Sequence, residues 1–95
     1  MTSPAGVERR KVIFEGNVQG VGFRFTTRRI AAGYDVTGYV KNLRTGDVEL
    51  VAEGPPDELQ RFIADIQQAM SGYIAEARQE ATGYTGEFDD FEIRP

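Results

Sequence analysis

Histidine and cysteine are both absent from this 95-residue chain, and the two absences remove most of the usual hydrolytic chemistry. Without histidine a Ser-His-Asp arrangement cannot form, and without cysteine there is no thiolate nucleophile. The serines, Ser3 and Ser71, stand outside any Gly-x-Ser-x-Gly elbow. A zinc site would have to be built from carboxylates alone, an unusual donor set, so no metal site is expected. A disulfide framework is equally excluded. Any chemistry here must come from positioning, hydrogen bonding and fixed positive charge.

Long apolar runs are missing as well. No stretch approaches the ~18 residues of a membrane span. Met1 to Gly6 lacks the charged-then-apolar order of a signal peptide. The expectation is a cytoplasmic protein with no membrane partner. Positive charge is in short supply: 11 Lys and Arg stand against 15 Asp and Glu, a formal net charge of −4. Nucleic-acid binding needs a basic face, so it is not expected. A small anionic ligand remains open, because one arginine in a pocket can dominate the local field.

What is present suits a single small domain. Hydrophobic residues make up 40% and charged residues 27%, the balance of a folded chain rather than a disordered one. A chain of this length buries roughly 60–65% of its unfolded surface, enough for one core and no second module. The domain is expected over residues 9–95, after a flexible tail at 1–8. With no evident apolar surface stripe, it is expected to be a monomer.

Arg10 to Glu15, β-branched and aromatic at its centre, reads as a strand. A glycine-rich loop, Gly16 to Gly22, leads into a helix from about Gly22 to Ala32. Phe23, Thr26, Thr27 and Ile30 form its i, i+3, i+4, i+7 stripe. Arg28 and Arg29 near its end suit the helix dipole, and Gly33 fits the residue beyond. Val36 to Leu43 reads as a second strand. Its period of two puts Val36, Gly38, Val40 and Asn42 on one face. A turn at Arg44-Thr45-Gly46 joins it to a third strand, Asp47 to Glu53. Proline and acids at positions 54–58 announce a second helix with the stripe Leu59, Phe62, Ile63, Ile66 and Met70. Tyr73 to Ala81 reads as a fourth strand, although Glu76, Arg78 and Glu80 also suit a helix. Phe88 to Ile93 reads as a short fifth. The order β-α-β-β-α-β is the ferredoxin-like α+β plan: an antiparallel sheet with two helices on one face.

The stretch from Gly16 to Arg24 carries the chemistry. Three glycines free the backbone where a strand gives way to a helix. Successive N–H groups there can form an anion nest, and the helix N-terminus adds partial positive charge. Arg24, in the first helical turn, offers a planar fork to two phosphate oxygens. No Gly-Lys-Ser/Thr follows, and the spacing is not Gly-x-Gly-x-x-Gly, so nucleotide binding is not suggested. The same residues also read as a plain strand-to-helix turn with Arg24 in solvent. Asn42 also reads as a residue that opens a hairpin.

Gly16-Asn17-Val18-Gln19-Gly20-Val21-Gly22-Phe23-Arg24 resembles the first signature of the acylphosphatase family. Gly38-Tyr39-Val40-Lys41-Asn42, followed by Gly46, Val48 and Gly54, resembles its second, in the right order and spacing. The resemblance is tight from Val12 to Gly54. It continues loosely to Phe91-Glu92-Ile93-Arg94, which is similar to the family's closing strand. It implies the ferredoxin-like fold and hydrolysis of a small acyl phosphate to carboxylate and inorganic phosphate, with no metal and no cofactor. It also implies that Arg24 binds the phosphoryl group together with the loop amides, taken as those of Gln19, Gly20, Val21, Gly22, Phe23 and Arg24. Asn42 is implied to orient the attacking water. The alternatives are an acylphosphatase-like domain of low turnover kept for anion binding and, from the fold class, an RNA-binding module. The latter would need exposed aromatics on a basic sheet.

The missing metal ligands and the resemblance lead to one expectation. Hydrolysis of benzoyl phosphate should persist in EDTA. Loss of activity that magnesium restores would assign the chain to another phosphatase class.

Overall fold

The computed structural model describes residues 6–95; positions 1–5 of the expected tail lie outside the described residues. The elements are β1 (Glu8–Gly16), α1 (Phe23–Ala31), β2 (Thr37–Asn42), β3 (Val48–Gly54), α2 (Pro56–Ala69), β4 (Ile74–Thr82) and β5 (Phe91–Arg94). The first strand therefore takes in Glu8, which had been expected in the tail.

The five strands form one sheet in the order β4-β1-β3-β2-β5. Val12 pairs with Leu50, and Leu50 with Val40. Phe14 pairs with Val48, and Val48 with Asn42. These rows share the face on which the helices lie. Val12, Phe14, Val40, Val48 and Leu50 are fully buried, and α2 covers them with Leu59, Phe62, Ile63 and Ile66. The ring of Phe14 packs on Phe23 of α1, 5.1 Å between centroids. On α1 the buried positions are Phe23, Thr27 and Ala31. Thr26 and Ile30, expected in the stripe, are only partly covered.

β4 is a strand. Alanine, glutamate, arginine and glutamine favour helix locally, yet pairing with β1 from Arg9↔Thr82 to Glu15↔Glu76 decides the matter. Its period of two sends Glu76, Arg78 and Glu80 to one side, where Arg78 meets Glu15 at 2.8 Å. Charges on an edge strand also discourage pairing with another chain.

One expectation needs correction. The sheet is mixed, because β5 runs parallel to β2, with Gly38 opposite Phe91 and Val40 opposite Ile93. The reason is topological. β4 and β5 occupy opposite edges, so residues 83–90 must cross the end of the sheet where β4 finishes and β2 starts. A strand that enters from that end runs in the direction of β2.

Glu53 near the end of β3 holds this crossing. Its side chain has no solvent exposure. It accepts from Thr85 N (3.0 Å), Thr85 Oγ1 (2.7 Å) and Gly86 N (2.9 Å). Arg9 Nη1 lies 3.4 Å from the same carboxylate and 2.8 Å from Glu87. Phe88 then lies on the outer sheet face, 5.9 Å from the Tyr39 ring and 5.4 Å from the Arg9 guanidinium. Burial raises the pKa of Tyr39, as does its hydrogen bond to Glu49.

Glu53→Ala should therefore destabilise the fold by about 2–3 kcal/mol, because two backbone donors and Arg9 lose their acceptor. Urea unfolding measures it. A loss below about 0.5 kcal/mol, the size typical of a surface substitution, would mean that water replaces the carboxylate at no cost.

Candidate active site

The strand directions bring four chain ends to the opposite rim of the sheet: the finish of β1, the start of α1, and the finishes of β2 and β5. Between β1 and α1 the loop must turn sharply. Gly20 and Gly22 do so with φ of +79° and +77°, and a Cβ at either would meet nothing within 4 Å. These positions thus need glycine for its backbone freedom and not for its size.

Gly22 caps α1, and the N–H of Thr26 donates to its carbonyl at 2.9 Å. Helix geometry then leaves the N–H groups of Phe23, Arg24 and Phe25 with no acceptor inside the helix. Among the described residues, the N–H groups of Gln19, Gly20, Val21 and Gly22 donate to no protein acceptor either. A run of unengaged donors at a helix N-terminus favours an anion.

Arg24 is the second residue of α1. Helical side chains lean toward the N-terminus, which carries its guanidinium back over the loop. Its Nη1 donates to the backbone carbonyl of Arg94 at 2.9 Å. Among the described residues no carboxylate pairs with it. The guanidinium is thus aimed by a neutral acceptor while its charge stays uncompensated. The Arg94 side chain goes elsewhere, to Glu92 at 2.7 Å and over the Tyr39 ring at 4.1 Å.

Asn42 ends β2 on the helix-facing side, in the row of Phe14 and Val48. Among the described residues its amide makes no hydrogen bond to the protein. Arg24 and Asn42 line one cavity of about 340 Å³, together with Val18, Gly20, Gly22, Phe23, Phe25 and Ile93. Val18 is fully buried and Phe23 nearly so; they form an apolar base. Among the described residues no cluster of three carboxylates could hold a metal ion.

Of the residues singled out in the sequence, Gly20, Gly22, Phe23, Arg24 and Asn42 meet at this cavity, whereas Gln19 and Val21 do not line it. The Gln19 side chain has another task. Nε2 donates to Leu43 O at 2.7 Å and to Asp47 O at 2.8 Å, across the mouth of the β2–β3 hairpin. This latch ties the loop that leads into Arg24 to the hairpin that follows Asn42. Sequence reading also missed the Arg94 carbonyl and Phe25. A main-chain acceptor leaves no trace in residue identity. Phe25 did leave one, as an aromatic outside the apolar phase of α1.

Residues 10–93 match the family model for acylphosphatase. The chain belongs to the acylphosphatase family. It is 45% identical over 89 residues to an acylphosphatase of Syntrophus aciditrophicus, covering 92% of each chain. Among solved structures it superposes on acylphosphatase from Bacillus subtilis with a TM-score of 0.83 at 28% identity, covering 93% of this chain and 99% of that one. An acylphosphatase from Coxiella burnetii gives 0.81 at 31% identity, with 94% of each chain covered. The ferredoxin-like α+β fold expected from the sequence is the fold of these family members, with the parallel edge strand described above.

The latch gives a test that is separate from the chemistry. Gln19→Met keeps close to the side-chain length and removes the donor, leaving Leu43 O and Asp47 O with their backbone partners alone, Gly46 N at 3.1 Å and Leu43 N at 2.8 Å. Stability should fall by about 0.5–1.5 kcal/mol in denaturant melts, the net worth of an ordinary hydrogen bond. Protection by inorganic phosphate should weaken with it. Unchanged stability would mean that the hairpin holds its own geometry.

Proposed function

We propose that this chain hydrolyses the carboxyl–phosphate bond of acyl phosphates and releases a carboxylate and inorganic phosphate. One observation carries the proposal. An arginine without a counter-carboxylate, a row of unengaged N–H groups and an unpartnered asparagine amide surround one small cavity.

In this reading the phosphoryl oxygens sit against Arg24 and the amides of Gln19, Gly20, Val21, Gly22, Phe23 and Arg24. The guanidinium fork matches two of these oxygens. Phosphoryl transfer depends mainly on alignment and on stabilising charge at the equatorial oxygens, which fixed donors provide without reorganising. The leaving group is a carboxylate, so no strong acid is required to expel it. Asn42 both donates and accepts, and it holds a water in line with the breaking bond. The water oxygen bonds to phosphorus while the phosphorus–acyl oxygen bond breaks, its electron pair leaving with the carboxylate. Asparagine is too weak a base to take the proton, which passes to a phosphoryl oxygen.

The proposal extends to a monomer acting in the cytoplasm on a small substrate, without nucleic acid. Support comes from the net charge of −4. The exposed large apolar side chains, Phe25, Tyr73 and Tyr84, are few. No helix among the described residues is long and apolar enough to cross a membrane.

Arg24→Ala should lower kcat/KM for benzoyl phosphate by roughly a thousandfold or more and weaken inhibition by inorganic phosphate. Near-normal turnover would end the proposal. Asn42→Ala should lower kcat by roughly a hundredfold or more while phosphate inhibition changes little. An equal loss in both would assign Asn42 to binding the anion instead of water.

A further inference from the structure

Phe25 is out of place for a helix residue of this fold. The buried positions of α1 are Phe23, Thr27 and Ala31. Two residues on from Phe23, a side chain is rotated by about 200° and faces away from the core. Phe25 is accordingly 66% exposed, the most exposed of the large apolar side chains among the described residues. Most apolar residues elsewhere on this small domain are covered, so a bare phenyl ring beside a pocket invites a ligand.

Its position is specific. Phe25 lines the cavity that holds Arg24 and Asn42, and it also lines a second, larger one of about 620 Å³. The second cavity runs along α1 toward Arg28, Arg29, Tyr34 and Phe91. In the first cavity Val18 and Phe23 are buried and form the floor. A phosphoryl group seated on Arg24 and the loop amides must therefore point its acyl group toward the open side, where Phe25 stands. The Arg28 guanidinium lies 5.3 Å from the Phe25 ring centroid, close enough for a cation–π contact that steadies the ring. Among the described residues Arg28 makes no salt bridge that would draw it away.

We propose that Phe25, steadied by Arg28, is the platform for the acyl group, and that it makes the enzyme select flat aromatic acyl phosphates over acetyl phosphate. The inference rests on the reading under Proposed function. A phenyl ring carried by the acyl carbon meets Phe25 in an offset or edge-to-face arrangement, while its far edge enters the larger cavity. An acetyl group has only a methyl to offer and forgoes both contacts. The selection acts mostly on binding of the acyl portion, away from phosphorus, so it should appear mainly in KM.

The test compares benzoyl phosphate with acetyl phosphate in the wild type, Phe25→Ala, Phe25→Tyr and Arg28→Ala. Phe25→Ala should lower the benzoyl-to-acetyl ratio of kcat/KM by about tenfold, the scale of one aromatic contact. Phe25→Tyr should keep the ratio, and Arg28→Ala should lower it by a smaller factor. Inhibition by inorganic phosphate reports the Arg24 end separately and should be the same in wild type and Phe25→Ala. A ratio within twofold of wild type in Phe25→Ala overturns the platform and leaves the hydrolase reading standing. A wild type that hydrolyses neither compound ends both.

Discussion

The hydrogen bond from Arg24 to the carbonyl of Arg94 joins the first helix to the last strand. The acceptor's chemistry matters as much as its place. A carboxylate there would orient the guanidinium equally well and also cancel its charge. A peptide carbonyl fixes one N–H and leaves the cation for an incoming anion. The chain carries more acid than base overall, so a local positive field has to be built by keeping carboxylates away from one spot. The cavity lining contains none.

The two ends of the sheet have different tasks. At the end where β3 finishes, Glu53 draws the 83–90 crossing inward through three hydrogen bonds, and Arg9, Glu87, Phe88 and Tyr39 extend the contact over the outer face. That end is closed and well satisfied. At the other end the donors of the loop and of α1 are left open. The crossing is what brings β5 alongside β2, and β5 supplies the carbonyl that aims Arg24. A buried carboxylate thus contributes to the site from the far side of the molecule, by fixing the path of the chain. An unpaired buried charge would be costly, and here each carboxylate oxygen has backbone or side-chain donors.

Much of this was legible in the sequence, and the residues show why. Val12, Phe14, Val40, Val48 and Leu50 alternate as half-buried strands must, and α2 announces itself with Pro55-Pro56-Asp57-Glu58 and a regular stripe. Gly20, Gly22, Arg24 and Asn42 stood out because they fall in two stretches that resemble the family's signatures in order and spacing; taken singly, their residue types also suit a plain turn. What escaped depends on distant chain segments. The direction of β5 follows from where residues 83–90 cross, which no local pattern encodes. β4 is the opposite case: it read as a strand although its residues also suit a helix, and pairing with β1 decides between the two. Gln19 reads as a loop residue until the hairpin carbonyls of Leu43 and Asp47 are placed beside it.

A site assembled from backbone donors, one arginine and one amide has a consequence for its tolerance to change. No side chain in the cavity has to gain or lose a proton for the chemistry proposed, so performance depends on where groups sit and not on their acidity. Positions that hold the loop, such as the Gln19 latch and the αL glycines, therefore matter beside the groups that touch the phosphoryl oxygens. The acyl side has no such constraint. Among the described residues the Phe25 ring has its helix and the Arg28 guanidinium to hold it, so the ring that meets the acyl group can differ without disturbing the loop that meets phosphate. A rigid phosphoryl cradle and an adjustable outer wall are separate parts of one cavity, and they meet at consecutive residues, Arg24 and Phe25. Successive residues on a helix diverge by about 100°, which lets one turn serve both parts: Arg24 faces the loop and Phe25 faces the solvent from which the substrate arrives.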